Sequence, residues 1–133
     1  MTDRGAGVVL DARLGTDAAG CWRCGRWSAR VHSRYRRRLC DAPIAGRPVQ
    51  LRLQVRRFFS DNAACPARTL VEQPAQLTAP RARRTSLLRR MLSEIAVALA
   101  GRAGARLASR LGMTTSRDSL LRLLRDLPDP QPG

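Results

Sequence analysis

The cysteine spacing near the N-terminus constrains the fold more than any other feature of this chain. Residues 21–25 have the sequence CWRCG, and a third cysteine, Cys65, follows after two long runs rich in arginine. Two thiolates separated by two residues bind one metal ion at a tight turn, where glycine relaxes the backbone. A redox pair has the same spacing, but it normally lies between a strand and a helix, and no helical pattern follows Cys24. We therefore expect a zinc knuckle with Cys21, Cys24 and Cys65 as ligands.

A closed structural zinc site needs a fourth ligand, and the sequence leaves its identity open. Ser60 stands where a further thiolate would be convenient, and Cys40 and His32 are possible substitutes. His32 falls in the body of a predicted strand, where a surface or hydrogen-bonding role is more common. Cys40 falls at the far end of the same strand, tens of ångströms from Cys24 at a rise of ~3.3 Å per residue. We expect neither Cys40 nor His32 to bind the metal.

Between the cysteines, two runs alternate between apolar and basic residues, as strands with one buried face do. Residues 29–39 and 49–56 are separated by a turn at 41–46, which predicts a two-stranded antiparallel ribbon. Its apolar face carries Val31, Tyr35, Leu39, Val49, Leu51, Leu53 and Val55. Its basic face carries Arg34, Arg36, Arg38, Arg52 and Arg56. A row of arginines is often a solvated outer face, but this number on one ribbon favours contact with phosphate groups.

The segments around the ribbon complete a small β unit. Residues 7–14 alternate and predict one more strand, which should pair with the ribbon because a single strand cannot bury itself. Residues 67–77 contain proline and glutamine without a clear period and predict a linker. We therefore divide the chain into a β unit at 1–66, a linker at 67–77, a helical unit at 78–128 and a disordered tail at 129–133.

The helical unit predicts three helices with a leucine-rich core. The first begins at residues 78–80, where a threonine cap precedes an N-terminal proline, and ends before residue 101. The second spans 103–111 with Leu107, Ala108 and Leu111 pointing inward, and a turn glycine follows it. The third is capped by Thr115 or Ser116 and runs to residue 127.

The last two helices have the spacing of a helix-turn-helix, whose second helix enters the major groove of DNA. Polar residues near the start of the third helix stay outside its leucine face, where this motif meets base edges. Arginines also occur at the start of the first helix, where positive charge opposes the helix dipole. A partner anion there would neutralise them. The predicted DNA contacts of this unit are Arg81, Arg83, Arg84, Thr115, Ser116, Arg117, Ser119 and Arg122. An ordinary three-helix bundle is the alternative.

The charge of the chain indicates a polyanionic partner. Its 25 basic residues, all arginine, stand against 10 acidic residues, which gives a formal charge of +15. Arginine binds phosphate and base edges with two donors and stays charged at any working pH. A GC-rich coding bias explains why arginine replaces lysine. It does not explain why basic residues outnumber acidic residues by so many. Aromatic residues make up 4% of the chain, which disfavours a single-strand binder that stacks bases. No apolar run approaches the ~20 residues of a membrane span.

The order of these motifs resembles the N-terminal region of bacterial insertion-sequence transposases of the ISL-three type. The similarity covers residues 21–130 and rests on the knuckle followed by VHSRYRRRL, DAPIAG, VQLRLQVRRFF, DNAAC, LTAPRARRT and GARLASRLGMTTSRDSLLRLLRDLP. With the patterns above, it predicts an α+β fold, in which a small N-terminal antiparallel β zinc-ribbon-like unit precedes a three-helix helix-turn-helix unit. It implies sequence-specific binding to the terminal inverted repeats of the element.

Two departures from the family bear on function. The family usually has cysteine at the position of Ser60, so the resemblance implies that zinc binding is weak or lost here. The sequence ends at Gly133, before the RNase H-like catalytic domain of the family. We therefore expect a truncated transposase that is not an enzyme.

The expected partner is double-stranded DNA, with intact transposase or a second copy of the chain as further partners. Neither a membrane nor a small-molecule substrate is expected, and the expected location is the bacterial cytoplasm, at the nucleoid. Two alternatives stay open. In the first, the chain is a transposase remnant that is non-functional or that regulates by competing with intact transposase. In the second, it is a basic RNA-binding protein.

Overall fold

The computed structural model describes residues 7–99 and 101–127. Within these ranges the strands come first and the helices last. The strands are β1 (Val8–Arg13), β2 (Ala19–Gly20), β3 (Trp27–Ser28), β4 (Val31–Ile44), β5 (Arg47–Phe59) and β6 (Thr69–Val71). The helices are α1 (Ser86–Ala98), α2 (Arg102–Arg110) and α3 (Arg117–Arg125). The predicted α+β class and the three helices are confirmed for the described part of the chain.

The larger sheet is organised around β5. The β4 strand pairs antiparallel with one edge of β5, while β1 and β6 pair with the other edge. Because β1 runs parallel to β5, the sheet is mixed, and the prediction of a purely antiparallel β unit is wrong. A parallel pair needs a long crossover between its strands, and here β2, β3 and β4 supply it. The short strands β2 and β3 form a separate antiparallel pair.

The predicted ribbon is the β4–β5 hairpin, and its strands are longer than we expected. Residues 41–44, which we placed in the turn, belong to β4, and only Ala45 and Gly46 separate the strands. These two residues have φ values of 52° and 75°, which a two-residue hairpin turn of type I′ requires. Pro43 fits into β4 because this strand lies at the sheet edge, at a register shift between Asp41 and Ile44.

One face of the hairpin is buried, as the alternation predicted, and the opposite face is exposed on β4 and mostly half-buried on β5. The core of the buried face consists of Leu39, Leu51, Leu53 and Val55, with Ala12, Val71 and Leu77 packed against it. Tyr35 was predicted on this face but is 38% exposed, and its ring lies under the guanidinium of Arg57. The segment that we expected to be a linker, 67–77, contributes β6 to the sheet and Leu77 to this core. Three residues of strand are too few to show an alternation in the sequence.

Helix α1 begins at Ser86, and its start was predicted wrongly at 78–80. Thr85 is the cap, and its hydroxyl accepts a hydrogen bond from the Leu88 N–H at 3.2 Å. The preceding residues are bound to the edge of β4 instead of forming a helical turn. The Cys40 N–H donates to the Arg83 carbonyl and the Thr85 N–H donates to the Cys40 carbonyl, both at 2.9 Å. Arg81, with φ of 63°, lies in a conformation that a helix excludes.

The three helices enclose their own core, consisting of Leu88, Leu92, Ala96, Ala108, Met113, Leu120 and Leu123. Leu107 and Leu111 were predicted to point inward, and this is wrong, because they are 37% and 46% exposed. Helix α2 turns small residues toward α1 instead. A Cβ on Gly104 would lie 1.7 Å from the Leu99 carbonyl oxygen, so only glycine permits this approach.

Helix α3 begins as predicted and ends two residues earlier than predicted, at Arg125. Ser116 is its cap, since the Ser116 hydroxyl accepts a hydrogen bond from the Ser119 N–H at 3.1 Å. Asp118 lies in the first turn, where a negative charge is favourable to the helix dipole. Of the two predicted caps, Thr115 does not have this role.

The helices pack against the far end of the hairpin. The Thr85 hydroxyl donates to the Asp41 carboxylate at 2.7 Å, which ties the start of α1 to β4. A Cβ on Gly112 would lie 2.4 Å from the Gly46 carbonyl oxygen, so the turn between α2 and α3 touches the hairpin tip. The predicted tail at 129–133 and the first six residues of the predicted β unit lie outside the described residues.

Candidate metal centre and nucleic-acid interface

Two turns bring Cys21, Cys24 and Cys65 together. In the first turn the Gly25 N–H donates to the Cys21 carbonyl at 2.8 Å, with a φ of 75° at Gly25. The pairing of β2 with β3 closes this turn. In the second turn, after β5, the Cys65 N–H donates to the Asn62 carbonyl at 3.1 Å. The three Sγ atoms lie within 4.8 Å of one another.

A small apolar cluster at the end of the sheet supports these turns. Phe58 of β5 and Leu70 of β6 are almost fully buried there, together with Cys21 itself. Cys65 packs against the cluster and is half-buried, whereas Cys24 is exposed. Two of the thiols are therefore held by the fold, and the third lies on a solvent-facing turn.

The donor set and its spacing fit a zinc ion. A tetrahedral zinc with Zn–S bonds of about 2.3 Å places its sulfur ligands about 3.8 Å apart. The Sγ atoms of Cys21 and Cys65 are 4.0 Å apart, and the Sγ atom of the exposed Cys24 lies within 4.8 Å of both. Within residues 7–99 and 101–127, no further Cys, His, Asp or Glu contributes a ligand atom to this cluster. Three cysteine thiolates are therefore the ligands available from these residue types, and a tetrahedral zinc ion would keep one coordination position open.

Hydrogen bonds favour the thiolate of Cys24. The backbone N–H of Arg26, followed by the side chain of Asn62, lowers the pKa of Cys24 from 9.0 to about 7. At Cys65 the backbone N–H of Ala67 lowers the pKa, but burial and the neighbouring thiols raise it more, so the pKa of Cys65 lies above its ordinary value. Near neutral pH, Cys24 is therefore readily available as a thiolate, whereas Cys65 must lose its proton when metal binds.

The three candidates for a fourth ligand lie in different environments. The Ser60 hydroxyl accepts a long hydrogen bond of 3.4 Å from the Asn62 N–H, in the same turn that carries Cys65. Cys40 is exposed on β4, opposite Gln50 in β5, and is not part of the thiol cluster. The His32 ring is hydrogen-bonded to the Ser33 hydroxyl at 2.9 Å and is not part of the cluster either. Of the three candidates for a fourth ligand, Ser60 is therefore the one that lies in the turn carrying Cys65.

The outer face of the sheet, called the basic face below, carries even-numbered residues of β4 and β5 and odd-numbered residues of β1. It consists of Arg13, Arg34, Arg36, Arg38, Arg52 and Arg56, with Asp11 and Gln54 between them. The antiparallel register places Arg34 opposite Arg56, Arg36 opposite Gln54 and Arg38 opposite Arg52. The three arginines that β4 contributes to this face are exposed. Among the described residues they have no acidic partner, which leaves them available to an anion.

Arg52 and Arg56 are engaged within the protein. Arg52 forms an ion pair with Asp11 of β1 at 2.9 Å. Arg56 forms an ion pair with Glu72 at 2.5 Å, and the side chain of Glu72 is 1% exposed. Hydrogen bonding to Glu72 raises the pKa of Arg56 above its ordinary value. Arg56, which we predicted as a DNA contact, is therefore a structural residue, and we exclude it from the proposed interface.

Sequence analysis missed Arg13 and Glu72. Arg13 lies opposite Gln54 in the parallel register, beside Arg34 and Arg36, and extends the basic face onto a third strand. Surface cavities of about 260 and 250 Å³ lie between these side chains. The alternation at 7–14 predicted a strand there, but no feature of the sequence indicates that it pairs parallel to β5. Glu72 lay in the expected linker, where nothing suggested a buried charge.

Most of the predicted contacts in the helical unit are exposed, and they lie on other elements than the basic face. Arg81 and Arg83 are exposed and Arg84 is half-buried, all of them in the segment before α1. On α3, Arg117 and Arg122 are exposed. The Ser119 hydroxyl is hydrogen-bonded to the Ser116 hydroxyl at 3.2 Å, and Thr115 is half-buried. Basic residues thus occur on the sheet, before α1 and at the start of α3.

A two-cysteine knuckle, completed by a cysteine from a turn at the end of a β hairpin, is the arrangement of a zinc-ribbon-type protein. Residues 17–66 match the family described as zinc-finger of transposase IS204/IS1001/IS1096/IS1165. This match confirms the resemblance of this segment to the N-terminal region of ISL-three-type transposases. A search of curated proteins and a search of solved structures each gave no match. No described helix has both the length and the apolar character that crossing a membrane requires.

Proposed function

We propose that this chain is a DNA-binding module of a transposase and that it binds the terminal inverted repeats of its insertion sequence. The observation that carries the proposal is a transposase zinc-finger segment, residues 17–66, that includes both strands of an arginine-rich hairpin. One face of this hairpin is core and the other is basic, so its charge is directed outward as one surface. A surface of this kind matches the phosphate backbone of duplex DNA.

In this proposal the basic face supplies affinity. Arg34, Arg36 and Arg38 are two residues apart on β4, so their Cα atoms follow one another at about 6.6 Å along one line. Each phosphate that they neutralise releases counterions, a contribution that does not depend on the base sequence. Arg13 widens the same surface across β5. The basic face therefore positions the module on the duplex without reading bases.

The α2–α3 pair supplies specificity in this proposal, as a helix-turn-helix. Gly112, with φ of 92°, forms the turn between the helices, and Ser116 caps the second one. Arg117 and Arg122 are both exposed on α3, the former at its first residue and the latter at the beginning of its last turn. Arginine reads guanine in the major groove through two hydrogen bonds, and the N-terminal part of a recognition helix is the part that meets base edges.

Zinc has a structural role in this proposal. Cys21, Cys24 and Cys65 would hold it, and bound zinc would cross-link the knuckle to the turn after β5. The module contributes binding and no bond-breaking chemistry, and it acts on nucleoid DNA in the bacterial cytoplasm. A module of this kind would compete with intact transposase for the same ends.

Fluorescence anisotropy tests the proposal with three labelled ligands. These are a duplex with the inverted repeat that flanks the coding sequence, a random duplex of the same length and composition, and an RNA duplex. We expect the repeat to bind most tightly. Arg117→Ala and Arg122→Ala should each reduce the preference for the repeat by about 1–3 kcal/mol if they contact bases. Arg125→Ala, in the last turn of the same helix, is the matched control.

Equal affinity for the repeat, the random duplex and RNA would contradict specific DNA binding. Tighter binding to RNA than to either DNA would support the RNA-binding alternative instead. If Arg117→Ala and Arg122→Ala weaken binding to both DNA duplexes equally, these residues contact phosphate, and α3 is not the element that reads the sequence.

A further inference from the structure

Both tryptophans of the chain are exposed at the metal knuckle, one inside it and one directly after it. Trp22 lies between the two knuckle cysteines, and Trp27 begins β3. Trp22 is 76% exposed and Trp27 is 66% exposed. Large aromatic rings normally bury most of their surface, so two such rings on one turn indicate a partner that covers them.

Hydrogen bonds order the backbone at both tryptophans. Trp27 pairs with Gly20 of β2, and a Cβ on Gly20 would lie 3.5 Å from the Trp27 ring, so the ring packs directly over the glycine. Trp22 lies in the turn closed by the hydrogen bond from the Cys21 N–H to the Arg26 carbonyl, at 3.0 Å. Because the backbone is ordered at both positions and the Trp27 ring is packed, covering the rings would require ordering of few side chains.

The surroundings of the two rings are basic. The Arg23 guanidinium lies 5.5 Å from the centre of the Trp22 ring, and Arg26 is exposed in the same turn. No acidic residue occurs between residues 18 and 40. Asp61 approaches from the turn after β5, and its carboxylate is already paired with Arg30 at 2.6 Å. Exposed aromatic faces beside arginines complement a ligand that carries flat rings and negative charge along one chain, which is an unpaired nucleic-acid strand.

We propose that Trp22 and Trp27 form a stacking platform for unpaired bases of DNA, with Arg23 and Arg26 contacting the adjacent phosphates. The inference rests on the proposed function as a DNA-binding module, and it adds a second DNA surface to the basic face. The low aromatic content of the chain disfavoured base stacking in the sequence analysis. That content does not reveal that both tryptophans are exposed. The platform would hold an unpaired strand next to the duplex bound by the sheet.

Tryptophan fluorescence tests the platform directly, because the chain has only these two tryptophans. The zinc-loaded chain is titrated with a blunt duplex and with the same duplex carrying an unpaired oligothymidine overhang. We expect the overhang to bind about 10-fold more tightly, to quench the tryptophan emission and to shield it from acrylamide. Trp22→Leu and Trp27→Leu should each lose most of this gain and keep their affinity for the blunt duplex. Trp22→Phe and Trp27→Phe retain an aromatic face and should keep most of the gain.

Each variant is first checked for zinc content, since Trp22 adjoins both knuckle cysteines. Equal affinity for overhang and blunt duplex, with unchanged tryptophan emission, would overturn the platform and leave duplex binding intact. No binding to either DNA would overturn the platform and the proposed function together. If emission changes with protein concentration alone, and Trp22→Leu abolishes self-association in sedimentation, another protein chain covers the rings and the platform is wrong.

Discussion

The guanidinium of Arg56 lies 2.5 Å from the carboxylate of Glu72, whose side chain is 1% exposed. The Arg56 backbone N–H also donates to this carboxylate at 2.7 Å, and its guanidinium donates to the Thr16 carbonyl. The pair thus connects β5, the residue after β6 and the loop after β1. A buried charge is tolerated only while it keeps its partners, so Arg56, one of the predicted phosphate contacts, holds the sheet together instead.

Arg56→Ala should therefore destabilise the fold by about 3–5 kcal/mol, because it leaves the Glu72 carboxylate buried without a counter-charge. Urea denaturation followed by circular dichroism measures this change. Arg36→Ala, on the exposed part of the same face, is the control and should change stability by less than about 0.5 kcal/mol. The double variant Arg56→Met, Glu72→Leu should recover much of the loss, since it removes both charges. A small effect of Arg56→Ala alone would show that the pair is open to water.

Zinc binding should become tighter in Ser60→Cys, because a fourth thiolate closes the tetrahedron that the present thiols leave open. Competition with a chromogenic chelator measures the affinity. Cys40→Ser is the matched control, and it should change nothing because Cys40 lies outside the thiol cluster. Loss of zinc binding in Cys40→Ser, together with no effect of Ser60→Cys, would mean that Cys40 is the fourth ligand and that our ligand set is wrong.

Zinc affinity should also depend on pH in a defined direction. The pKa of Cys65 is raised, so this thiol is protonated at neutral pH and zinc must displace its proton. The pKa of Cys24 is lowered to about 7, so Cys24 competes with protons mainly below neutrality. Affinity should therefore increase as pH rises through neutrality and beyond, and fall as pH drops. An affinity that does not change over this range would contradict thiolate ligation.

Gly104→Ala should destabilise the helical unit. The added methyl group would lie 1.7 Å from the Leu99 carbonyl oxygen, so α2 must move away from the end of α1. Overpacking of this kind typically costs about 1–3 kcal/mol, which exceeds the gain of about 1 kcal/mol in helix propensity. Gly15→Ala is the control, because nothing lies within 4 Å of the position of its Cβ. Thermal unfolding followed by circular dichroism distinguishes them, and an unchanged Gly104→Ala would show that the helices are not packed this closely.

The sequence predicted those parts of the fold that repeat at a regular period. The alternation of Leu51, Leu53 and Val55 identified the buried face of β5, and the Ser116 cap identified the start of α3. The cysteine spacing identified the three thiols, because two turns suffice to bring them together. The family resemblance added a context that these local patterns do not contain.

The parts that sequence analysis missed depend on interactions between distant segments. The start of α1 is set by hydrogen bonds from Cys40 to Arg83 and Thr85, which no local pattern of 78–85 contains. On α2, Ala108 points inward as predicted, but the second inward residue is Gly104 and not a leucine, because the Leu99 carbonyl is too close for a larger side chain. The partner of Arg56 is likewise distant in the sequence, since Glu72 follows β6.

The salt dependence of DNA binding tests the central claim most directly, which is that the basic face binds phosphate. The triple variant Arg34→Ala, Arg36→Ala, Arg38→Ala removes the exposed arginines of β4. The control Arg90→Ala, Arg102→Ala, Arg106→Ala removes equal charge from exposed positions on α1 and α2.

Affinity for a random duplex is measured by anisotropy over a series of salt concentrations. The slope of log affinity against log salt should be steep for the unchanged chain. It should be less steep by about 0.9 for each phosphate that the protein no longer neutralises, hence by about 2.7 in the β4 triple variant. The control should keep most of the original slope. A slope that is the same in the β4 triple variant and in the unchanged chain, or that falls equally in the control, would contradict the account.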